Sequence, residues 1–158
     1  MKSAFYAAAL LAATSTSALA AGSHAGGHDM MTIGKAGEAK SAKRTVQIVM
    51  KDKDDGSMVF EPSTLSVKKG ETIRLKFLNK GEQDHEFVMD EEKAILEHKD
   101  LMAKFPEMEH DDPNAIRLAA GKRGEIIWTF ANDGEFTFAC LIPGHYESGM
   151  KGTLKVSN

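Results

Sequence analysis

Cysteine is almost absent from this chain: there is one, Cys140, among 158 residues, alongside one tryptophan, two tyrosines and four prolines. A lone cysteine excludes an intramolecular disulfide and any metal site built from several thiolates. An excess of one charge sign is lacking too. Twenty Lys and Arg face 23 Asp and Glu, for a net charge of -3, which gives no electrostatic reason to bind nucleic acid. After the first twenty residues no apolar run approaches the roughly 18 to 20 residues that a helix needs to cross a bilayer, so no membrane span is expected.

What is present begins with a leader. Lys2 supplies a positive start, Ala7 to Ala13 an apolar stretch, and Ala18-Leu19-Ala20 a small-residue cleavage site, so residues 1–20 read as a secretory signal peptide cut after Ala20. The exported chain then has 138 residues and a formal charge of about -4, suited to one domain with a single core. Export sharpens the question of the cysteine. In an oxidising compartment an unpaired thiol is free, shared with a second chain, or a metal ligand. Residues 21–43, rich in Gly, Ala, Ser and Lys with few branched apolar side chains, are expected to form a disordered tail, with the domain running over 44–158.

From Arg44 the pattern alternates. Val46, Ile48 and Met50, then Leu65 and Val67, then Ile73, Leu75 and Phe77 mark short half-buried strands. His85–Met89, Ile126–Phe130, Phe136–Cys140 and Thr153–Val156 continue the series, with glycine at most turns. Seven or eight such strands predict an all-β, antiparallel sandwich. One stretch differs: about residues 91–110 are rich in Glu, Lys, Leu, Ala and Met, which predicts a helical excursion ending near Pro106.

The chemistry gathers around Cys140, which opens the run Cys140-Leu-Ile-Pro-Gly-His145-Tyr-Glu-Ser-Gly-Met150. One soft thiolate, two imidazoles and a weak axial thioether are what a mononuclear copper electron-transfer site requires. Cys140 shares parity with Phe136 and Phe138 and should face the core. Turns at Pro143-Gly144 and Ser148-Gly149 can return His145 and Met150 toward the sulfur. The second imidazole is assigned to His85, because His24 and His28 fall in the tail and His98 and His110 in the helical excursion. With all four positions supplied by protein, and a catalytic metal needing an open one, no enzyme is expected.

Further histidines and methionines lie outside this set. His24, His28, Met30 and Met31 cluster in the tail, either as loose copper ligands or as part of a solvated leader. His98 and Met102 stand four apart on the predicted helix, with Met108 and His110 just beyond Pro106; they read as a second copper site or, for the methionines, as ordinary core packing.

His85 and the Cys140-x4-His145-x4-Met150 spacing resemble the cupredoxins, the plastocyanin and azurin superfamily, and are most similar to auracyanin and rusticyanin. The resemblance covers about Arg44 to Asn158. With its His- and Met-containing leader the chain also resembles the CopI-type periplasmic cupredoxins associated with copper tolerance. The resemblance implies a Greek-key sandwich, one type 1 copper per chain and reversible one-electron transfer, while the leader implies export to the periplasm, where a monomer is expected. Many cupredoxins place Asn or Ser after the first His ligand; here Glu86 stands there, leaving its backbone N–H to bond the Cys140 sulfur. Two roles follow: copper tolerance, using the surplus His and Met, or electron carriage between redox partners through an exposed apolar patch of Leu141, Ile142, Pro143 and Tyr146 around His145.

Overall fold

The structure is a computed structural model that describes residues 31–106 and 111–158. Ten strands and one α-helix form among the described residues: β1 (Gly34–Ala36), β2 (Arg44–Asp52), β3 (Met58–Glu61), β4 (Thr64–Lys68), β5 (Thr72–Asn79), β6 (His85–Asp90), α1 (Glu92–Lys104), β7 (Ala115–Leu118), β8 (Arg123–Phe130), β9 (Gly134–Ala139) and β10 (Lys151–Ser157). They make two five-stranded sheets, ordered β1-β8-β5-β2-β3 and β4-β10-β9-β6-β7.

The sandwich is therefore larger than the seven or eight strands expected, and it is mixed rather than wholly antiparallel. β2 runs parallel to β5 and β4 runs parallel to β10, while the other pairs are antiparallel. The two parallel pairs arise because β3 and β4, joined at Pro62-Ser63, belong to different sheets. The chain changes layer there instead of closing a hairpin.

The alternating pattern buries one face of each sheet against the other. Phe60, Phe77, Phe87, Trp128, Phe130 and Phe138 are all but sealed from solvent. Phe87 is the hub, with ring centroids 4.7 Å from Phe77, 5.2 Å from Phe138 and 5.7 Å from Phe60. Such offset and edge contacts add roughly 0.5–1.5 kcal/mol per pair beyond the area they bury. The same core continues to Cys140 and Met150.

One expected boundary changes. The tail was expected to stay unstructured to Lys43, but the chain joins the fold from Met31. Ile33 is fully buried, and β1 pairs with β8 in the register Gly34↔Phe130. The helix spans Glu92–Lys104, and a second cluster of Val88, Ile95, Met102, Ala139 and Leu141 lies beneath it. By covering the outer face of β6 and β9, α1 explains why Ala139 is buried although it alternates with core-facing Phe138. No helix among the described residues is long and apolar enough to cross a membrane. The leader over residues 1–20, the tail over 21–30 and residues 107–110 lie outside the described residues.

Candidate metal centre

His85 begins β6, Cys140 follows the last residue of β9, and Met150 immediately precedes β10. β6 and β9 pair antiparallel through Val88↔Ala139, so the start of one strand and the end of the other meet at one end of the second sheet. The segment between Cys140 and Met150 is folded on itself by main-chain bonds. The N–H of His145 donates to Ile142 O (3.0 Å), and that of Met150 donates to His145 O (3.0 Å). The N–H of Cys140 donates to Met150 O (3.0 Å), so thiol and thioether residues face each other across one closed loop. Gly144 and Gly149, at φ +89° and +96°, take the left-handed conformations its two turns require.

Nδ1 of His145 lies 3.3 Å from Sγ of Cys140 and 3.2 Å from Nδ1 of His85. The three donor atoms all fall within 4.8 Å of one another, and all three residues are buried. Such spacings suit donors bonded to one first-row ion at roughly 2.0–2.3 Å. Met150 is fully buried beside them. The backbone N–H of Glu86 donates to the Cys140 sulfur at 3.3 Å, as the sequence anticipated.

The electrostatics fit metal ligation. Burial pushes the Cys140 thiol up to about 12, against the pull of the Glu86 and Ile142 N–H groups, so only a cation would hold it as thiolate at neutral pH. Burial also lowers both imidazoles below their ordinary value. Asp52 opposes this at His85, and the neighbouring His85 adds to it at His145. Two neutral rings and one ionisable sulfur are the protonation states a copper ion needs.

The auxiliary candidates fare differently. Met102 is 1% exposed and packs with Ile95 beneath α1. Met31 and His98, from separate stretches of sequence, line one cavity of about 150 Å³ together with Asp90, Asp112 and Asn114. His24, His28, Met30, Met108 and His110 lie outside the described residues.

The apolar patch expected around His145 is smaller than predicted. Leu141 is 1% exposed because α1 covers it, which leaves exposed Pro143 and half-buried Ile142. Tyr146 carries the Nζ of Lys151 over its ring at 4.3 Å and that of Lys99 at 5.5 Å. Lys99 also pairs with Glu147 at 2.8 Å, tying α1 to the loop.

One residue escaped the sequence reading. Asp52 Oδ1 lies 2.8 Å from Nε2 of His85. Burial works to raise the Asp52 carboxyl, but the Glu82 N–H and the His85 ring outweigh it and hold it below its ordinary value. In the sequence Asp52 opens the run Asp-Lys-Asp-Asp, which reads as a charged turn and carries no sign of a partner 33 residues on.

Residues 46–157 match the family described as copper binding proteins, plastocyanin/azurin family. The chain belongs to that family. Within it, the chain is similar to the copper-resistant cuproprotein CopI of Rubrivivax gelatinosus, at 47% identity over 137 residues, which are 86% of this chain and 79% of that protein. It is similar also to the copper-resistant cuproprotein CopI of Pseudomonas aeruginosa, at 32% identity over 78% of this chain and 82% of that protein. Among solved structures, the reduced auracyanin of Roseiflexus castenholzii superimposes with a TM-score of 0.62 at 25% identity, covering 74% of this chain and 99% of that one. Copper is thus the metal that this cupredoxin's donor set serves.

Proposed function

We propose that this chain binds one copper ion through His85, Cys140, His145 and Met150 as a type 1 centre, works in the periplasm and serves copper tolerance. The observation that carries the reading is the convergence of three buried donors, all within 4.8 Å, in a protein of a copper-binding family. Copper, when bound, supplies a one-electron Cu(II)/Cu(I) couple.

The chain's own residues do the rest. Cys140 gives up its thiol proton, and the Glu86 N–H at 3.3 Å stabilises the charge left on sulfur. His85 and His145, already neutral, offer nitrogen lone pairs without first losing a proton. The thioether of Met150, sealed from solvent, would be the fourth and weakest donor. Four protein donors would leave no position for a substrate, which supports binding and redox chemistry rather than catalysis. One chain supplies every ligand, so a monomer suffices. The names of the CopI relatives support tolerance, and the predicted leader supports the periplasm.

A second reading, electron carriage, draws on His145. It is 6% exposed and shares a loop with exposed Pro143 and half-buried Ile142, which supports a short path between the site and a docked partner.

Titrating the copper-free exported chain with Cu(II) should produce an intense visible sulfur-to-copper band and a type 1 paramagnetic resonance signal, both lost in Cys140→Ser. A band that survives in Cys140→Ser would sink the thiolate assignment. A strain lacking the gene should grow poorly at copper levels the parent tolerates, with rescue by the wild-type chain and none by Cys140→Ser. Normal growth of the deletion strain would instead favour the electron carrier.

A further inference from the structure

We propose that Asp52 is a positioning residue for the copper centre: its carboxylate takes the Nε2–H of His85, so that the ring turns Nδ1 to the metal and donates more strongly to Cu(II) than to Cu(I). The inference rests on the copper reading above.

The contact joins two atoms that have no other role. Asp52 Oδ1 and His85 Nε2 are 2.8 Å apart, and the His85 side chain is 0% exposed. Both atoms are buried, and neither makes an aligned hydrogen bond to any described residue. The other ring nitrogen, Nδ1, faces His145 Nδ1 at 3.2 Å and belongs to the donor group. The two nitrogens therefore have different company, a carboxylate on one side and the metal donors on the other.

The carboxylate is itself held in place. Its second oxygen, Oδ2, accepts the Glu82 N–H at 2.7 Å. Glu82 belongs to the turn between β5 and β6, which the fully buried Asn79 organises: Asn79 Oδ1 accepts the Gly81 N–H at 2.8 Å. Asn79 Nδ2 donates to the carbonyls of Gln83 and Leu118, each at 2.8 Å. Leu118 is the register partner of His85, and the Lys80 N–H donates to Met50 O (2.9 Å) in the strand that ends at Asp52. One turn thus fixes the carboxylate, the strand that carries it and the strand that carries the imidazole.

Gly81 completes the arrangement. A Cβ at that position would fall 2.5 Å from His85 Nε2 and 2.7 Å from Asp52 Oδ2, so any side chain there would occupy the contact itself.

A carboxylate on the outer nitrogen of a metal-bound imidazole fixes its tautomer and ring orientation and raises its basicity, and losing such a partner typically costs about 10- to 100-fold in metal affinity. The more highly charged Cu(II) gains more from a basic nitrogen than Cu(I) does, so Asp52 should lower the reduction potential. Each tenfold loss of Cu(II) affinity relative to Cu(I) raises the potential by about 59 mV for one electron.

The test uses the full exported chain as wild type, Asp52→Asn, Asp52→Ala and Gly81→Ala. Nitrogen-15 resonance of the copper-free protein should report the Nε2–H tautomer at His85 in wild type and a mixture in Asp52→Ala. Cu(II) affinity should fall about 10- to 100-fold in Asp52→Ala. The potential should rise in Asp52→Ala, rise less in Asp52→Asn, and follow Asp52→Ala in Gly81→Ala. If Asp52→Ala does not fold, the isosteric Asp52→Asn carries the same reading. Wild-type potentials in the Asp52 variants would overturn the proposal. Should the wild-type chain bind no copper as a type 1 centre, the copper reading fails, and the tautomer of the copper-free protein still decides whether Asp52 orients His85.

Discussion

At the scale of single residues, the copper-free site is sensitive to pH in both directions. His85 and His145 are held below 6.5, so the folded protein binds fewer protons there than the unfolded chain, and stability falls as pH drops below about 6.5 through the depressed values. Cys140 is held at about 12 against an ordinary 9.0, so the folded protein keeps a proton that the unfolded chain releases, and stability falls as pH rises past 9.0. The midpoint of thermal unfolding of the copper-free chain should therefore peak between these limits. A profile that stays flat from about pH 5 to about pH 10 would remove the burial account. Three of the four candidate donors were readable in advance because Cys140, His145 and Met150 sit on one short loop, where spacing alone predicts proximity, and His85 was reached by elimination among the histidines. Asp52 was not readable. Its meeting with His85 depends on the turn around Asn79, and no local pattern records which two strand ends a turn will bring together.

At the scale of elements, the clearest departure is β1. A three-residue strand preceded by a single isoleucine has too little periodicity to stand out from a Gly- and Ala-rich stretch, and so the domain boundary was expected at Arg44. Yet Ile33 is 0% exposed, and its carbonyl accepts the Trp128 indole N–H at 3.4 Å and the Ala131 N–H at 3.3 Å. Ile33→Ala should cost about 2 to 5 kcal/mol, as buried isoleucine truncations do. Exposed Thr32→Ala should change stability within about 0.5 kcal/mol. Urea denaturation of the copper-free protein separates the two, and an Ile33→Ala variant as stable as wild type would mean that β1 is not held in solution. The helix illustrates the converse. Its composition made it legible, but which sheet face it would cover was not, and the burial of Leu141 follows only from that docking.

At the scale of the whole molecule, the sandwich and the end of it that carries the metal donors were legible because alternation and loop spacing are both short-range signals. The sheet order was not, since parallel pairs such as β2 with β5 join segments far apart in the chain. The entry of Met31 into the fold changes how the tail should be tested. Removing residues 21–43 would take β1 with it, so deletion of 21–30 is the informative cut. The exported chain should take up more than one copper, and the shortened chain one, with unchanged unfolding; one copper in both would leave His24, His28 and Met30 without a part in copper uptake.

β10 lies between β4 and β9, so the second sheet is divided until that strand arrives. The ligand loop leads directly into it, and the main-chain bond from Cys140 to Met150 closes only when it docks. β10 is also the last of the ten strands to be synthesised. A chain clipped before Lys151 therefore keeps all four candidate donors in its sequence, yet it loses the strand that joins β4 to β9 and that holds the far end of their loop in place.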